Sequence, residues 1–246
     1  MADRQISFSP AMVRALLEGR KTQTRRLLHF PGIDKVIEFV PVATDQQGRR
    51  VYEMNDASGQ SVTRPAGKHF VEYHFWPKYA VGDRLYVREA WKTHAAYDDI
   101  SPAAMGGDEP VLYITDGAHQ TWGYPAITKI GRFRQGMHMP RWASRLTLIV
   151  TDVRVQRLQD ISTEDAIAEG LMRIPHAPAA ARDLGCDWGV ESDTRYGSPV
   201  STYAVLWDSL NAKRDDGAYV WARNPWVVAV SFTVHQRNID QMERAS

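Results

Sequence analysis

Residues 19 to 26 read Gly-Arg-Lys-Thr-Gln-Thr-Arg-Arg, setting one lysine and three arginines beside two threonine hydroxyls. Such a set supports three kinds of behaviour. A cationic tract behind a helix is commonly a solvated turn. Arginine forks flanked by hydroxyls match the geometry of a phosphate. A lysine near a hydroxyl can also act as a base, here Lys21, toward Thr24 or toward a water that Thr24 holds. The last use needs a lysine that gives up its proton readily. Arg20, Arg25 and Arg26 favour that, and so would burial. Residue types alone leave the three open.

The elements around the tract are legible. Ile6 to Ser9 reads as a first strand, and Ser9-Pro10 as a helix start with Ser at the N-cap and Pro at the first helical position. Met12, Val13, Leu16 and Leu17 form the apolar stripe of that helix, and Gly19 suits the left-handed residue that ends it. The tract therefore leaves a helix C-terminus, where cations suit the dipole. Residues 31 to 80 are less regular, with 43 to 75 reading as hairpins joined by Gly, Asn and Asp turns, and Val81-Gly82-Asp83 reads as a turn. A strand follows, with Leu85 and Val87 on one side and Arg84, Tyr86 and Arg88 on the other. Residues 95 to 140 read as a long elaboration with one hairpin.

Leu146, Leu148 and Val150 share one strand face, while Val153 and Val155 have the opposite parity, which predicts a bulge or turn near Thr151-Asp152. Ser162-Thr163-Glu164-Asp165 predicts a capped helix that ends at Gly170. Residues 172 to 197 read as a loop. Ser198-Pro199 opens another helix, with Tyr203, Leu206, Trp207 and Leu210 on one face. Trp226, Val228, Val230, Phe232 and Val234 define one face of the last strand. The order predicts an α+β chain with a curled, mostly antiparallel sheet. No linker separates two cores, so residues 1–246 read as a single domain with insertions around 31–75, 95–135 and 172–197.

Composition narrows the function. Of 246 residues, 43% are hydrophobic and 24% charged, as in soluble globular proteins. A net charge of +1 makes any nucleic-acid site a local patch. Cys186 stands alone, so no intramolecular disulfide forms and a reducing compartment is expected. No apolar run is long enough to cross a bilayer, and the start lacks a signal-peptide core. These features predict a cytoplasmic protein without a membrane partner.

Other residues are candidates of lesser weight. Arg88, Glu89 and Trp91 combine an outward arginine with an aromatic, which suits a stacked base, although an ordinary strand face with a half-buried tryptophan has the same pattern. Arg141, Trp142 and Arg145 allow the same two readings. His69, Glu72 and His74 fit neither a helical HExxH nor a zinc-finger spacing, and a structural role is expected. Trp207, Trp221 and Trp226 are expected in the core.

The tract in its context, Ile6 to Arg26, resembles the opening of the ASCH family within the PUA-like superfamily. Residues 81–91, 137–170, 206–211 and 224–232 are similar to the long ASCH versions common in phage and prophage genomes. The resemblance implies a PUA-like β pseudo-barrel with flanking helices and a cleft that handles RNA or modified bases. Some small bacterial members are amidohydrolases that remove the acyl group from N4-acetylcytidine, with a Lys, a Thr and a Glu as the catalytic set. Carried over by motif, these are Lys21, Thr24 and Glu169, with Glu164 as the fallback. The resemblance implies metal-independent chemistry without a cofactor. Substrate contacts are expected from Arg25, Arg26, Arg88, Glu89 and Trp91. The other function this pattern allows is a non-catalytic module that binds RNA or a modified base.

Overall fold

A computed structural model of the chain describes residues 2–28, 33–46, 48–66, 69–72, 74–119, 123, 126–189 and 197–243, with residues 34, 63–66 and 69–72 as backbone alone. The first third holds strand β1 (Asp3–Ser7), helix α1 (Pro10–Leu17), β2 (Gln23–Leu27), β3 (Glu38–Thr44), β4 (Arg50–Asn55), β5 (Thr63–Ala66) and β6 (His69–Glu72). Then come β7 (Arg84–Arg88), β8 (Trp91–Lys92), β9 (Leu112–Tyr113), β10 (Thr147–Arg157) and α2 (Thr163–Ala168). The remainder adds β11 (Met172–Arg173), α3 (Ala179–Asp183), β12 (Trp188–Gly189), α4 (Pro199–Asn211) and β13 (Trp226–His235).

The chain is mixed α and β. Its largest sheet has five strands in the order β1-β7-β10-β13-β2. β1 runs parallel to β7, from Asp3 opposite Arg84 to Ser7 opposite Arg88. β10 is antiparallel to β7, and β13 is antiparallel to β2. The sheet is thus mixed: β1 is followed by a helix, and the residues up to β7 supply the crossover a parallel neighbour requires. Among the described residues β1 and β2 are its outermost strands, so the ladder does not close on itself there.

Two compact units make up the fold, each woven from separate segments. The first comprises Thr22–Gly82 and Val150–Phe232. The second comprises Ala2–Lys21, Asp83–Ile149 and the chain from Thr233 on. β10 and β13 each contribute residues to both.

In the first unit the core joins Leu158, Ile161, Ala166, Leu171, Tyr203, Trp207 and Val227. Phe39 meets the Trp226 ring edge-on at 4.7 Å, and Trp226 Nε1 donates to Val36 O at 3.0 Å, so the indole is both packed and satisfied. Helix α4 starts at the expected Ser198, whose side chain accepts from Ser201 N. Its buried face differs from the expected one: Leu210 is 48% exposed, and Thr202 and Asn211 are buried beside Tyr203 and Trp207. Buried positions 199, 203, 207 and 211 recur every four residues, and Asn211 Nδ2 is satisfied by Trp207 O at 3.0 Å, so a polar residue completes the row. Residues 172–189, expected as loop, contain β11, α3 and β12.

In the second unit Trp91, Met105, Val111, Tyr113, Met139 and Ala143 form the core. Leu85 and Val87 are buried, as their parity predicts. β10 runs as one strand through Thr151-Asp152, so a turn is not formed there. Leu148 and Val150 are buried on one face and Val153 on the other, the switch of parity that the sequence predicts. In β13 the expected face is buried from Trp226 to Phe232, and Val227 and Ala229 on the opposite face are buried as well, as for a strand inside a sheet.

No helix among the described residues is long and apolar enough to cross a membrane.

Candidate active site

Gly19, at φ +72°, ends α1 and turns the chain. Lys21 N then donates to Ala15 O at 3.0 Å, which satisfies one of the carbonyls that a helix end leaves open. The next residue, Thr22, is held on both sides. Its N–H donates to Ala168 O at 2.9 Å, in the last turn of α2, and its carbonyl accepts from Phe232 N at 2.9 Å. From Gln23 the tract continues as β2, in register with β13 so that Thr24 lies opposite Val230.

The tract is therefore not a solvated turn. Lys21 is 0% exposed, Gln23 4%, Thr24 3% and Arg25 4%. Burying so many polar groups is costly unless each finds partners. For Arg25 the partners are clear. Its Nη2 donates to Asp165 Oδ2 at 2.7 Å, and its Nη1 donates to Glu169 Oε1 at 3.2 Å and to Gln23 Oε1. Tyr203 OH donates to the same Glu169 oxygen at 3.4 Å, and the Tyr203 ring lies 5.8 Å from the guanidinium carbon.

Asp165 joins a second arginine. Gln23 Nε2 donates to Asp165 Oδ1 at 3.0 Å, and Arg154 Nη2 donates to Oδ2 at 3.1 Å. Arg25 thus bonds both carboxylates, and Arg154 adds a second cation to Asp165. Burial pushes the Asp165 carboxyl up, but the Gln23 hydrogen bond and the charges of Arg25 and Arg154 outweigh it and hold the carboxyl below its usual range. Burial, reinforced by the Glu169 carboxylate, raises the Tyr203 phenol well above the ordinary tyrosine value. Tyr203 therefore remains a donor to Glu169 at any ordinary pH. Burial pushes the Arg26 guanidinium down, against the charges of Tyr79 and Glu169.

Helix α2 sets the positions of both carboxylates. Ser162 Oγ accepts from Asp165 N at 3.1 Å and starts the helix, and Gly170, at φ +101°, stops it as expected. Asp165 and Glu169 are four residues apart and so share one helix face. Glu169, the C-cap residue, is 4% exposed, whereas Glu164 points to solvent.

Arg88, Glu89 and Trp91 belong to the second unit, which engages all three. Arg88 Nη1 donates to Met137 O at 2.8 Å, and its guanidinium carbon lies 5.6 Å from the Tyr86 ring centre. Glu89 is 1% exposed, gripped by Arg145 through both oxygens at 2.8 and 2.9 Å and by Thr115 Oγ1 at 2.8 Å. Trp91 is 0% exposed, within the core. Arg141 bridges Asp3 and Asp240. Trp207 and Trp226 are buried, and Trp221 packs against the first unit's core. The side chains of His69 and Glu72 lie outside the described residues, among which no group of three or more His, Cys, Asp or Glu could hold a metal ion.

No local pattern marks Asp165 and Tyr203 as members of this cluster. In sequence Asp165 fits a capping-box acid, and Tyr203 an apolar-stripe residue. The i, i+4 spacing of Asp165 and Glu169 was the available signal, though nothing in it names Arg25 as the partner. Compared with protein-family models, curated proteins and solved structures, the chain matches none.

Proposed function

We infer that this chain is an amidohydrolase of the ASCH type, with a PUA-like pseudo-barrel architecture, that removes the acyl group from an N4-acylated cytosine nucleoside or a related modified base. The observation that carries the reading is burial. Lys21, Thr24 and Glu169, separated by up to 148 positions and identified from the tract and its family resemblance, are all enclosed at 4% exposure or less. A surface tract has no physical reason to enclose them. Enclosed polar groups recur where catalytic chemistry is done.

In the proposed reaction Lys21 accepts a proton from Thr24, or from a water that Thr24 holds, and the oxygen adds to the acyl carbonyl carbon. The tetrahedral adduct collapses with cleavage of the C–N4 bond. The proton held by Lys21 goes to the departing nitrogen, which leaves as the free amine. Where Thr24 is the nucleophile, a water then cleaves the acyl-threonine by the same proton path and releases the carboxylic acid. Glu169 orients Lys21 or assists protonation of the leaving group. Arg25 and Tyr203 both bond Oε1 of Glu169, which fixes the carboxylate in one direction.

The reading as a pure phosphate-gripping module is less well supported. The Arg25 side chain is 0% exposed and bonded to two carboxylates, and Arg88 is bonded to a backbone carbonyl. Purified protein incubated with N4-acetylcytidine should yield cytidine and acetate in equal amounts, as read by chromatography. Failure to cleave any of a panel of N4-acyl cytidines would remove the assignment.

A further inference from the structure

The first unit carries an open cavity of about 520 Å³, in the size range of small-molecule sites. It is lined by Val42, Ala43, Val51 and Trp76, with Asp45, Gln46, Arg49 and His74 at its polar side. Its residues come from the β3–β4 hairpin and the segment just before β7. Trp76 is 49% exposed and Val42 47%, a large apolar area to leave in water.

The tryptophan is held in place. Its neighbour Phe75 exchanges two backbone hydrogen bonds with Tyr52, at 2.7 and 2.9 Å, and its ring meets Phe39 edge-on at 5.6 Å. The pairing register of β3 and β4 slips between Pro41 and Ala43, which re-aims the Val42 side chain. The guanidinium carbon of Arg49 lies 5.7 Å from the Trp76 ring centre. Asp45 fixes that arginine, with Oδ2 accepting Nε at 2.7 Å and Nη2 at 2.6 Å and Oδ1 accepting the Arg49 backbone N–H at 2.9 Å.

The chemistry of the occupant follows from these contacts. Arg49 and Asp45 neutralise each other, so the lining attracts neither a phosphate nor a cation strongly. An exposed indole beside a flat, oriented guanidinium is a stacking surface. Gln46 adds an exposed amide, with which a heteroaromatic edge can pair and a hydrocarbon ring cannot. We propose that this cavity binds an uncharged nucleobase, stacked on Trp76, either as a free nucleoside or as one unstacked base of a single strand. The site stands independently of the amidohydrolase reading.

The test uses the full chain with cytidine, adenosine, their 5′-monophosphates and a short single-stranded oligonucleotide, followed by saturation-transfer NMR and equilibrium titration. Nucleosides should bind saturably, the monophosphates no more tightly, and affinity should vary little with salt. Trp76→Ala should weaken binding about tenfold or more, as expected on removing a stacking ring, with an unfolding midpoint near that of the wild type. Trp76→Phe and Lys21→Ala should retain most affinity. Competition by the oligonucleotide would identify a strand as the source of the base, and binding of nucleosides alone would identify the free compound. Absence of nucleoside binding, equal binding by Trp76→Ala, or binding lost in Lys21→Ala but not in Trp76→Ala would overturn the proposal. So would a strongly salt-dependent preference for the monophosphates.

Discussion

Arg25 donates its Nη1–H to Oε1 of Glu169 across 3.2 Å, and with it the basic tract is tied to the C-terminal cap of α2, 144 positions later in the chain. Arg25 thereby stops being a candidate for gripping phosphate and becomes the residue that holds a carboxylate in place. The same guanidinium reaches Asp165, so its loss removes one ionic partner from each of two acids at once.

Arg25→Ala should accordingly destabilise the protein by about 3–5 kcal/mol, the cost of breaking a buried ion pair from one side. Urea unfolding would read it as a lowered midpoint. Arg25→Lys should lose less but still show a clear deficit, since an ammonium cannot reproduce the two-pronged geometry. A change under about 1 kcal/mol in Arg25→Ala would mean that the cluster is solvated in solution.

Glu89 supplies a parallel case. Expected as a ligand contact, it is enclosed and clamped by Arg145. Glu89→Ala should cost about 3–5 kcal/mol by the same reasoning and leave the affinity for single-stranded RNA at low salt unchanged. Unaltered stability together with weaker RNA binding would restore Glu89 as a contact residue.

Acid should loosen the second unit through Asp3 and Asp240. A hydrogen bond from Arg84 is the main cause that holds the Asp3 carboxyl below its usual range, and one from Arg141 does the same for Asp240, each against a smaller opposing effect of burial. Groups whose folded pKa lies below the unfolded value, about 3.9 for Asp, stabilise the fold above that pH and lose their contribution as pH falls below it. Stability should thus decline from about pH 4 downward. Asp3→Asn should be less stable than the wild type at pH 6 and decline less steeply in acid. Unfolding curves at pH 6, 4, 3 and 2 would decide this, and parallel declines for the two proteins would contradict it.

Local signals made much of this architecture legible. The Ser-Pro helix starts at Ser9 and Ser198, the glycine stops at Gly19 and Gly170, and the alternation of Leu85 and Val87 all act over a few residues, and all recur in the fold. The mixed sheet was not legible, because β1 pairs with a strand 81 positions away and no local pattern encodes a parallel neighbour. The two interwoven units were likewise hidden. Their segments alternate along the chain, so composition never changes at a boundary. The site lies between these extremes. Lys21, Thr24 and Glu169, the proposed catalytic set, could be singled out by motif and resemblance. The partners Asp165 and Tyr203 could not, because each also satisfied a simpler local role, as a helix-start acid and as a core aromatic.

If Lys21 works as a base, Lys21→Arg removes that function and keeps the charge. Arginine keeps the positive charge but stays protonated at any usable pH, so it cannot accept the proton. Initial rates on N4-acetylcytidine would be measured from pH 6 to 10 for the wild type, Lys21→Arg and Lys21→Ala, after thermal melts show that each variant is folded. Wild-type turnover should rise with pH as the base loses its proton, and Lys21→Arg should fall about as far as Lys21→Ala, by roughly 10²-fold or more, the usual contribution of general-base catalysis. A folded Lys21→Arg protein that cleaves N4-acetylcytidine at near wild-type rate would contradict the account.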